Sequence, residues 1–287
     1  MKVINQKSKI VAVSAEGNLT NTEVNFFRKK NLICEMSDNA SGQKTGRFMF
    51  ALLIHIYYPH SWNQIFKERL KLLEPHSPLI LINLCNTIAN KEQIIQDIKD
   101  NFPQAWVIIT PNKGRDIGGK LALIDLFINT RQEPDYLVLL HDKLSPHAIT
   151  GERWRTKLFH VVEPGKVRSI LQQFKDERVG VIGANEFIKS EFDQKTNKFE
   201  TTNSAILQDL IKRYNLHLHD YRFIAGSMFW IRSKIINRFF SLHPALRCRE
   251  MLEAGDFTDQ HQGTYTHSWE RLFCWLAIDQ GYTIKGV

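Results

Sequence analysis

Residues 105–143 read AWVIITPNKGRDIGGKLALIDLFINTRQEPDYLVLLHDK, and this stretch decides the fold. Two apolar runs of strand length, residues 105–110 and 135–140, enclose a segment with helical spacing at residues 119–130. A strand, a helix and a second strand in this order are typical of a βαβ unit, whose two strands lie parallel in one sheet. The stretch therefore predicts part of a parallel sheet.

The same alternation continues on both sides of this unit. The pattern predicts further strands at residues 48–58, 78–84 and 179–182, and further helices at residues 62–73, 91–101, 154–160 and 164–174. This order predicts an α/β protein with a mostly parallel central sheet and helices on both faces. Ligands bind beyond the carboxyl ends of the strands in such sheets, so we expect the functional site in the loops that follow them.

The first 46 residues have a different composition from the rest of the chain. They are polar and rich in Lys, Asn and Ser, and residues 37–46 (SDNASGQKTG) are typical of a loop. We therefore expect an N-terminal extension over residues 1–46, with a short strand at residues 9–13, and one α/β domain over residues 47–287. The four cysteines follow no zinc-binding spacing and are expected to be free thiols.

The net charge of +8 favours anionic partners. Lysines and arginines are scattered and no nucleic-acid-binding motif is present, so we expect phosphate-bearing substrates rather than nucleic acid. The longest uncharged apolar run, residues 48–58, is shorter than the roughly 20 residues that span a bilayer. Because no signal peptide is apparent either, we expect a cytoplasmic protein, with peripheral contact to the anionic inner face of the plasma membrane.

The loop at residues 112–119 (NKGRDIGG) is the first candidate site. Its glycines allow close approach of a ligand to the backbone, and it leads into a helix N-terminus that favours phosphate. We predict that donor-nucleotide contacts come from its polar and glycine positions, namely Asn112, Lys113, Gly114, Arg115 and Asp116. The alternative is an ordinary glycine-rich turn that an aspartate caps.

The tripeptide at residues 141–143 (HDK) ends the next predicted strand and is the second candidate. Asp142 could bind Mg²⁺ or Mn²⁺ with His141 as a further Mn²⁺ ligand, but only one carboxylate is present. Lys143 could instead neutralise a diphosphate directly, so metal-independent catalysis is an equal alternative. One helix and one strand separate the two candidate loops, so both are predicted to face one ligand.

The apolar segment at residues 223–232 (FIAGSMFWIR) is interrupted at Gly226 and Ser227. A glycine inside a strand pattern suggests close backbone approach, here to a sugar. Trp230 could stack on a sugar ring, and the alternative is that it belongs to the core.

The segment at residues 263–273 (GTYTHSWERLF) predicts a helix that Thr266, Ser268 or a neighbouring residue caps. His267 is a candidate acceptor contact. Glu270 would lie in the first turn as the general base for an acceptor hydroxyl, with Asp256 as its substitute. The alternative is that Glu270 complements the helix dipole or pairs with an arginine.

These segments, in this order, resemble the rhamnan synthesis protein F family over about residues 48–282. The matching residues are His55, Tyr57, Tyr58, the loop at 112–119, His141, Asp142, Lys143, Ser145, Gly151, Trp154, Arg155 and the segments at 225–232 and 267–273. The resemblance implies a GT-A-like glycosyltransferase, and its pattern at the strand end, His-x-Lys, makes Asp142 optional.

The resemblance also implies a donor similar to dTDP-L-rhamnose and a glycan or lipid-linked glycan acceptor. The resemblance implies inverting transfer of a sugar, L-rhamnose, to bacterial O-antigen, capsule or rhamnan. The alternative is a glycan-binding or scaffold protein without catalytic activity, built on a degenerate transferase fold.

Overall fold

The structure, a computed structural model, describes residues 9–12, 48–142 and 151–287. The side chains of residues 9–12 and 151–153 are not described. The strands are β1 (Lys9–Ala12), β2 (Phe50–Ile56), β3 (Leu79–Cys85), β4 (Trp106–Thr110), β5 (Tyr136–His141), β6 (Val179–Gly183), β7 (Ile188–Ser190), β8 (Phe192–Asp193), β9 (Lys198–Phe199), β10 (Arg222–Ile224), β11 (Phe229–Arg232) and β12 (Thr283–Gly286).

The described ranges also contain α-helices, which lie between and after these strands in the sequence. They are α1 (Lys67–Leu73), α2 (Lys91–Asn101), α3 (Arg115–Thr130), α4 (Gly151–Leu158), α5 (Pro164–Gln173), α6 (Ser204–Arg213), α7 (Ser233–Leu242), α8 (Ala245–Glu250) and α9 (Tyr265–Asp279). A π-helix, Trp62–Phe66, leads directly into α1. Within the described ranges, no helix combines the length and the apolar character needed to cross a bilayer.

The central sheet has the strand order β1-β4-β3-β2-β5-β11-β6-β12. The strands from β1 through β4, β3 and β2 to β5 are parallel to one another, whereas β11 runs antiparallel to both β5 and β6. The order reverses between β2 and β5, because β3 and β4 continue to one side and β5 returns to the other. This reversal is a topological switch point, the place where open α/β sheets bind their ligands.

Alternate side chains of each central strand pack on opposite faces of the sheet. Ala51 and Leu53 join the core that includes α3 and α9, whereas Phe50, Leu52 and Ile54 join the core that includes α1 and α2. Both faces are therefore covered by helices, as runs of apolar residues in parallel strands require. The predicted α/β, GT-A-like fold with a mostly parallel sheet is confirmed.

Most predicted elements coincide with the observed ones. The helix at residues 91–101 matches α2 at both ends, and β1 confirms the short strand expected near residues 9–13. Several helix starts differ from the prediction. The helix α3 begins at Arg115, so the predicted loop at residues 112–119 includes its first turn. The last helix begins at Tyr265, and Thr264, a neighbour of Thr266 and Ser268, caps it.

Candidate functional site

The turn that joins β4 to α3 is built around Gly114. Gly114 has a φ of 71° and Arg115 a φ of 50°, both in the left-handed region, where a residue without a Cβ is favoured. A Cβ at position 114 would also collide with the side chain of Leu252. Gly114 is therefore required by the turn and by its packing.

The glycine at position 119 allows α3 to lie directly against β2. A Cβ there would collide with the imidazole ring of His55. This contact brings the helix that carries Asp116 next to the switch point. The glycine pattern of the loop thus supports helix packing, in keeping with the alternative interpretation of the sequence.

Residues 249–257, which we call the covering segment, lie along the turn between β4 and α3 and form hydrogen bonds with its backbone. The Gly114 N–H donates to the carbonyl of Glu253 at 2.7 Å, and the Gly255 N–H donates to the carbonyl of Asn112 at 3.0 Å. The buried Arg249 guanidinium donates to the carbonyls of Pro111 at 2.9 Å and Gly118 at 3.2 Å. Burial lowers the pKa of Arg249 to about 10, which leaves it charged at neutral pH.

Two predicted cations of the turn have protein contacts of their own. Lys113 is only 7% exposed, and burial, followed by the charge of Arg249, lowers its pKa. Arg115 donates to the carbonyl of Phe257 at 3.1 Å. The structure therefore does not present Lys113 as an open diphosphate ligand, because most of its surface is covered by protein.

Asp256 lies at the exposed end of the covering segment and joins two candidate residues. The Tyr57 hydroxyl donates to its Oδ2 at 3.1 Å, and the Asn112 amide donates to its Oδ1 at 3.3 Å. Burial, and then the Asp256 charge, raise the pKa of Tyr57 to about 12, so its hydroxyl remains a donor at neutral pH. These contacts place an accessible carboxylate at the carboxyl edge of β2 and β4.

A buried polar cluster surrounds Lys120 on the adjacent turn of α3. The Lys120 ammonium lies 3.0 Å from Asp116 Oδ2, 3.0 Å from His141 Nδ1, 2.8 Å from the Ser227 carbonyl and 2.6 Å from Ser227 Oγ. The Ser227 hydroxyl donates to Asp116 Oδ2 at 2.8 Å. Three predicted site residues, Asp116, His141 and Ser227, therefore meet around a lysine that the sequence did not single out.

His55 and His141 are register partners on β2 and β5, on the two sides of the switch point. His55 Nδ1 lies 2.9 Å from the Asn83 amide nitrogen. The pKa of His55 is lowered to about 4, mainly by burial. The Asp116 charge opposes this shift, and the Lys120 and Arg249 charges add to it. His55 is therefore neutral at physiological pH.

The Asp142 carboxylate is occupied by backbone amides. It accepts hydrogen bonds from the Tyr57 N–H at 2.9 and 3.0 Å and from the Tyr58 N–H at 2.6 Å, and the residue is 4% exposed. Burial raises the pKa of Asp142 to about 7, although the amide hydrogen bonds lower it in part.

This environment does not fit the predicted metal ligand. A cation at Asp142 would need carboxylate oxygens that face the site, and these oxygens already accept amide protons. Among residues 48–142 and 154–287, no three His, Cys, Asp or Glu side chains are grouped so that they could hold a metal. The third residue of the tripeptide, Lys143, lies outside the described residues.

Glu270 holds the turn that precedes β11. Its Oε1 accepts the Gly226 N–H at 2.6 Å, and its Oε2 accepts from Arg271 at 2.7 Å. Arg271 also donates to the buried Glu191 at 2.9 Å. Glu270 lies in the second turn of α9 and not in the first, and both of its oxygens are engaged, as the predicted alternative of an arginine pair describes.

The N-terminus of α9 is fixed by two acceptors. Thr264 Oγ1 accepts the His267 N–H at 3.1 Å and lies 2.6 Å from His267 Nδ1. Glu253 accepts the backbone N–H groups of Tyr265 at 2.6 Å and Thr266 at 3.0 Å. His267 is thus held at the helix start, and the covering segment is coupled to α9 through Glu253.

Trp230 lies in the core instead of the cleft. Its side chain has no exposed surface, and its indole N–H donates to the Val161 carbonyl at 2.7 Å. The ring packs on Phe50 with centroids 4.7 Å apart. The predicted sugar stacking at Trp230 therefore has no accessible ring face, and the alternative of core packing describes this residue.

Sequence reasoning missed several residues that hold the site together. They are Lys120, Arg249, Glu253, Asn83 and Glu191. One signal was present: Lys120 lies four residues after Asp116, the spacing of an ion pair on one helix face, and interrupts a mostly apolar segment. The others carry no local pattern, because their partners are far away in the sequence.

Comparison with known proteins identifies one family. Residues 6–282 match the family model described as rhamnan synthesis protein F. The match begins well before residue 48, where the motif resemblance starts. No curated protein is significantly similar to the chain.

Proposed function

The chain belongs to the rhamnan synthesis protein F family, with a glycosyltransferase-type role that uses a sugar donor and a glycan acceptor, and we propose that it transfers L-rhamnose from a nucleoside diphosphate to a glycan. The acceptor is a bacterial cell-surface polysaccharide. The proposed site is the carboxyl edge of the sheet at the switch point between β2 and β5.

One observation carries this proposal. The covering segment, the turn before α3, the end of β5 and the turn before β11 all bring polar side chains to that edge, where Asp116 and Asp256 are accessible. Ligands of open α/β sheets bind at this location. We therefore propose that Asn112 and Asp116 contact the donor, and His141 and Lys143 are further candidates.

For the base we favour Asp256 over Glu270. In the proposed inverting reaction, the base removes the proton of an acceptor hydroxyl while that oxygen bonds to the sugar carbon and the bond to the diphosphate breaks. Asp256 is exposed and receives hydrogen bonds only from neutral groups, Tyr57 and Asn112, in the described contacts. Both oxygens of Glu270 are already engaged, one by the Gly226 N–H and one by Arg271.

Stabilisation of the leaving diphosphate would be the largest electrostatic contribution to such a reaction. The engaged carboxylate of Asp142 supports a metal-independent site, in which Arg115 and Lys143 provide positive charge. A chelator experiment on the turnover rate decides between this arrangement and Mg²⁺ or Mn²⁺.

The direct test is turnover by the purified chain. The chain is incubated with dTDP-L-rhamnose and a rhamnose-containing glycan, and released dTDP and elongated glycan are quantified, with UDP-glucose and GDP-mannose as control donors. We expect stoichiometric dTDP and elongated product. Glycan binding without consumption of any donor would contradict the proposal and identify a scaffold protein without catalytic activity.

A further inference from the structure

Lys120 is a charged side chain with no exposed surface, and it contacts three separate elements. Its partners are Asp116 on its own helix α3, His141 at the end of β5 and Ser227 in the turn before β11. An ammonium group has three N–H donors and no acceptor. Four acceptor atoms lie within 3.0 Å of the ammonium, namely Asp116 Oδ2, His141 Nδ1 and the carbonyl and hydroxyl oxygens of Ser227, so two of them share one N–H and none can donate to an acceptor on Lys120.

Because the ammonium can only donate, its contact with His141 determines which ring nitrogen of His141 carries the proton. Because Lys120 Nζ lies 3.0 Å from His141 Nδ1, that nitrogen must carry a lone pair, and the ring proton is on Nε2. The competing partner of Nδ1 is Asp116 Oδ2, which lies 3.6 Å away, beyond hydrogen-bond range. A proton on Nδ1 would face the ammonium instead.

The described charges near His141 are mainly positive. Lys120 and Arg249 contribute positive charge on this face of the sheet, and the neighbouring His55 is neutral. Among the described hydrogen bonds of the cluster, the anion is Asp116, which is shared by Lys120 and the Ser227 hydroxyl.

The cluster also holds the turn before β11 in a rare backbone conformation. Ser227 has a φ of 49°, in the left-handed region that is unusual for a residue with a Cβ. Its carbonyl and hydroxyl oxygens both lie against the Lys120 ammonium, at 2.8 and 2.6 Å. Of the cluster, Asp116 is the member that reaches the surface, with a quarter of its side chain exposed.

We infer that Lys120 is a positioning residue: it fixes His141 as the neutral Nε2–H tautomer and orients Asp116 and Ser227 for the sugar-nucleotide donor. The effect on the donor rests on the proposed function, whereas the tautomer does not. Lys120 itself lies behind the site and acts through Asp116.

The tautomer is measured on the wild-type protein by long-range ¹H–¹⁵N correlation spectra of its histidine side chains, with His141 assigned by the loss of its signals in His141→Gln. We expect the pattern of a neutral imidazole protonated on Nε2 at pH 7.5. A proton on Nδ1, or an imidazolium pattern, would overturn the inference. This measurement needs no Lys120 variant and no activity.

The positioning role is tested with Lys120→Met, and Lys67→Met is the matched control because Lys67 also pairs with an aspartate, Asp97 at 2.8 Å. We expect Lys120→Met to change the His141 pattern and to lower kcat/KM for the donor about a hundredfold, as small misplacements in a site do. Lys67→Met should stay within about twofold of wild type.

An unchanged His141 pattern and unchanged kcat/KM in a folded Lys120→Met protein would contradict the positioning role. Failure of the proposed function can be distinguished from failure of this inference. A wild-type protein that consumes no donor would refute the reaction, whereas the wild-type spectrum tests the tautomer independently of activity. The Lys120–His141 relationship is then supported or overturned by the wild-type spectrum alone.

Discussion

The carboxylate of Asp142, one residue past the end of β5, accepts the backbone N–H of Tyr58, two residues past the end of β2, at 2.6 Å. The hydrogen bond joins the two strands on either side of the switch point at their carboxyl ends. An acidic residue at a strand end, which the sequence suggests as a metal ligand, here organises the backbone of the site. Its side chain is therefore expected to influence stability.

The stability of the protein should depend on pH through Asp142. Burial raises its pKa to about 7 from 3.8, so the folded protein holds this proton more tightly than the unfolded chain does. The contribution to the unfolding free energy therefore increases as pH falls from about 7 to about 4, by up to about 4 kcal/mol at about 1.4 kcal/mol per pKa unit.

Urea unfolding of wild type and Asp142→Asn at several pH values isolates this contribution. The wild-type curve minus the variant curve should rise as pH falls from 7 to 4 and level off below 4. A difference that is constant with pH would show that Asp142 does not titrate in this range.

Gly119→Ala should destabilise the protein because its Cβ would collide with the His55 ring. Overpacking of this kind costs about 1–3 kcal/mol. Gly165→Ala on α5 is the matched control, since nothing lies within 4 Å of a Cβ there and alanine favours a helix. Chemical unfolding of both variants provides the comparison, and equal free energies of unfolding would contradict the close contact of α3 with β2.

Glu253→Gln should release the covering segment from the start of α9. The carboxylate accepts from the N–H groups of Tyr265 and Thr266, and the glutamine would place an amide donor against one of them. We expect the free energy of unfolding to fall by about 1–3 kcal/mol. Glu250→Gln breaks only the exposed pair with Arg247 and should change it by less than about 0.5 kcal/mol.

A smaller effect of Glu253→Gln than of Glu250→Gln would mean that these backbone contacts do not couple the two segments. The thermal unfolding temperature, measured with and without dTDP, gives an independent readout. We expect Glu253→Gln also to reduce the increase in unfolding temperature that dTDP causes, because the covering segment forms hydrogen bonds with Asn112 and Gly114 of the turn.

The fold followed from the sequence because the signal for each central strand is local. Apolar runs such as residues 105–110 and 135–140 are bounded by polar turns, and their spacing leaves room for one helix between them. The start of α3 was missed because helix formation at Arg115 depends on left-handed Gly114 and Arg115, which the covering segment stabilises from far along the chain.

The site could be predicted only in part, because long-range contacts assign its roles. Asp116, His141 and Ser227 were identified from their places in a glycine-bearing loop, at a strand end and at a break in an apolar run. Their common partner Lys120 lies among apolar residues of α3 and was not identified. Trp230 and Glu270 had two interpretations each, and only the packing of β11 and the pair with Arg271 distinguish them. Burial and partner identity are properties of the tertiary structure.

Glu270→Gln should reduce transfer by only about tenfold. The glutamine can still accept the Gly226 N–H, but it loses the ion pair with Arg271 that orients it. The expected loss reflects a misplaced turn, so donor KM should change along with kcat. A loss in kcat of a thousandfold or more at unchanged KM would instead identify Glu270 as the base.

The rate of elongated-glycan formation by wild type and Asp256→Asn, measured with dTDP-L-rhamnose under identical conditions, tests the central claim most directly. We predict transfer by wild type and a loss of about 10²–10⁴-fold in Asp256→Asn, the usual contribution of a general base, with dTDP binding retained. Product formation by Asp256→Asn at the wild-type rate, or no product from wild type, would contradict the account.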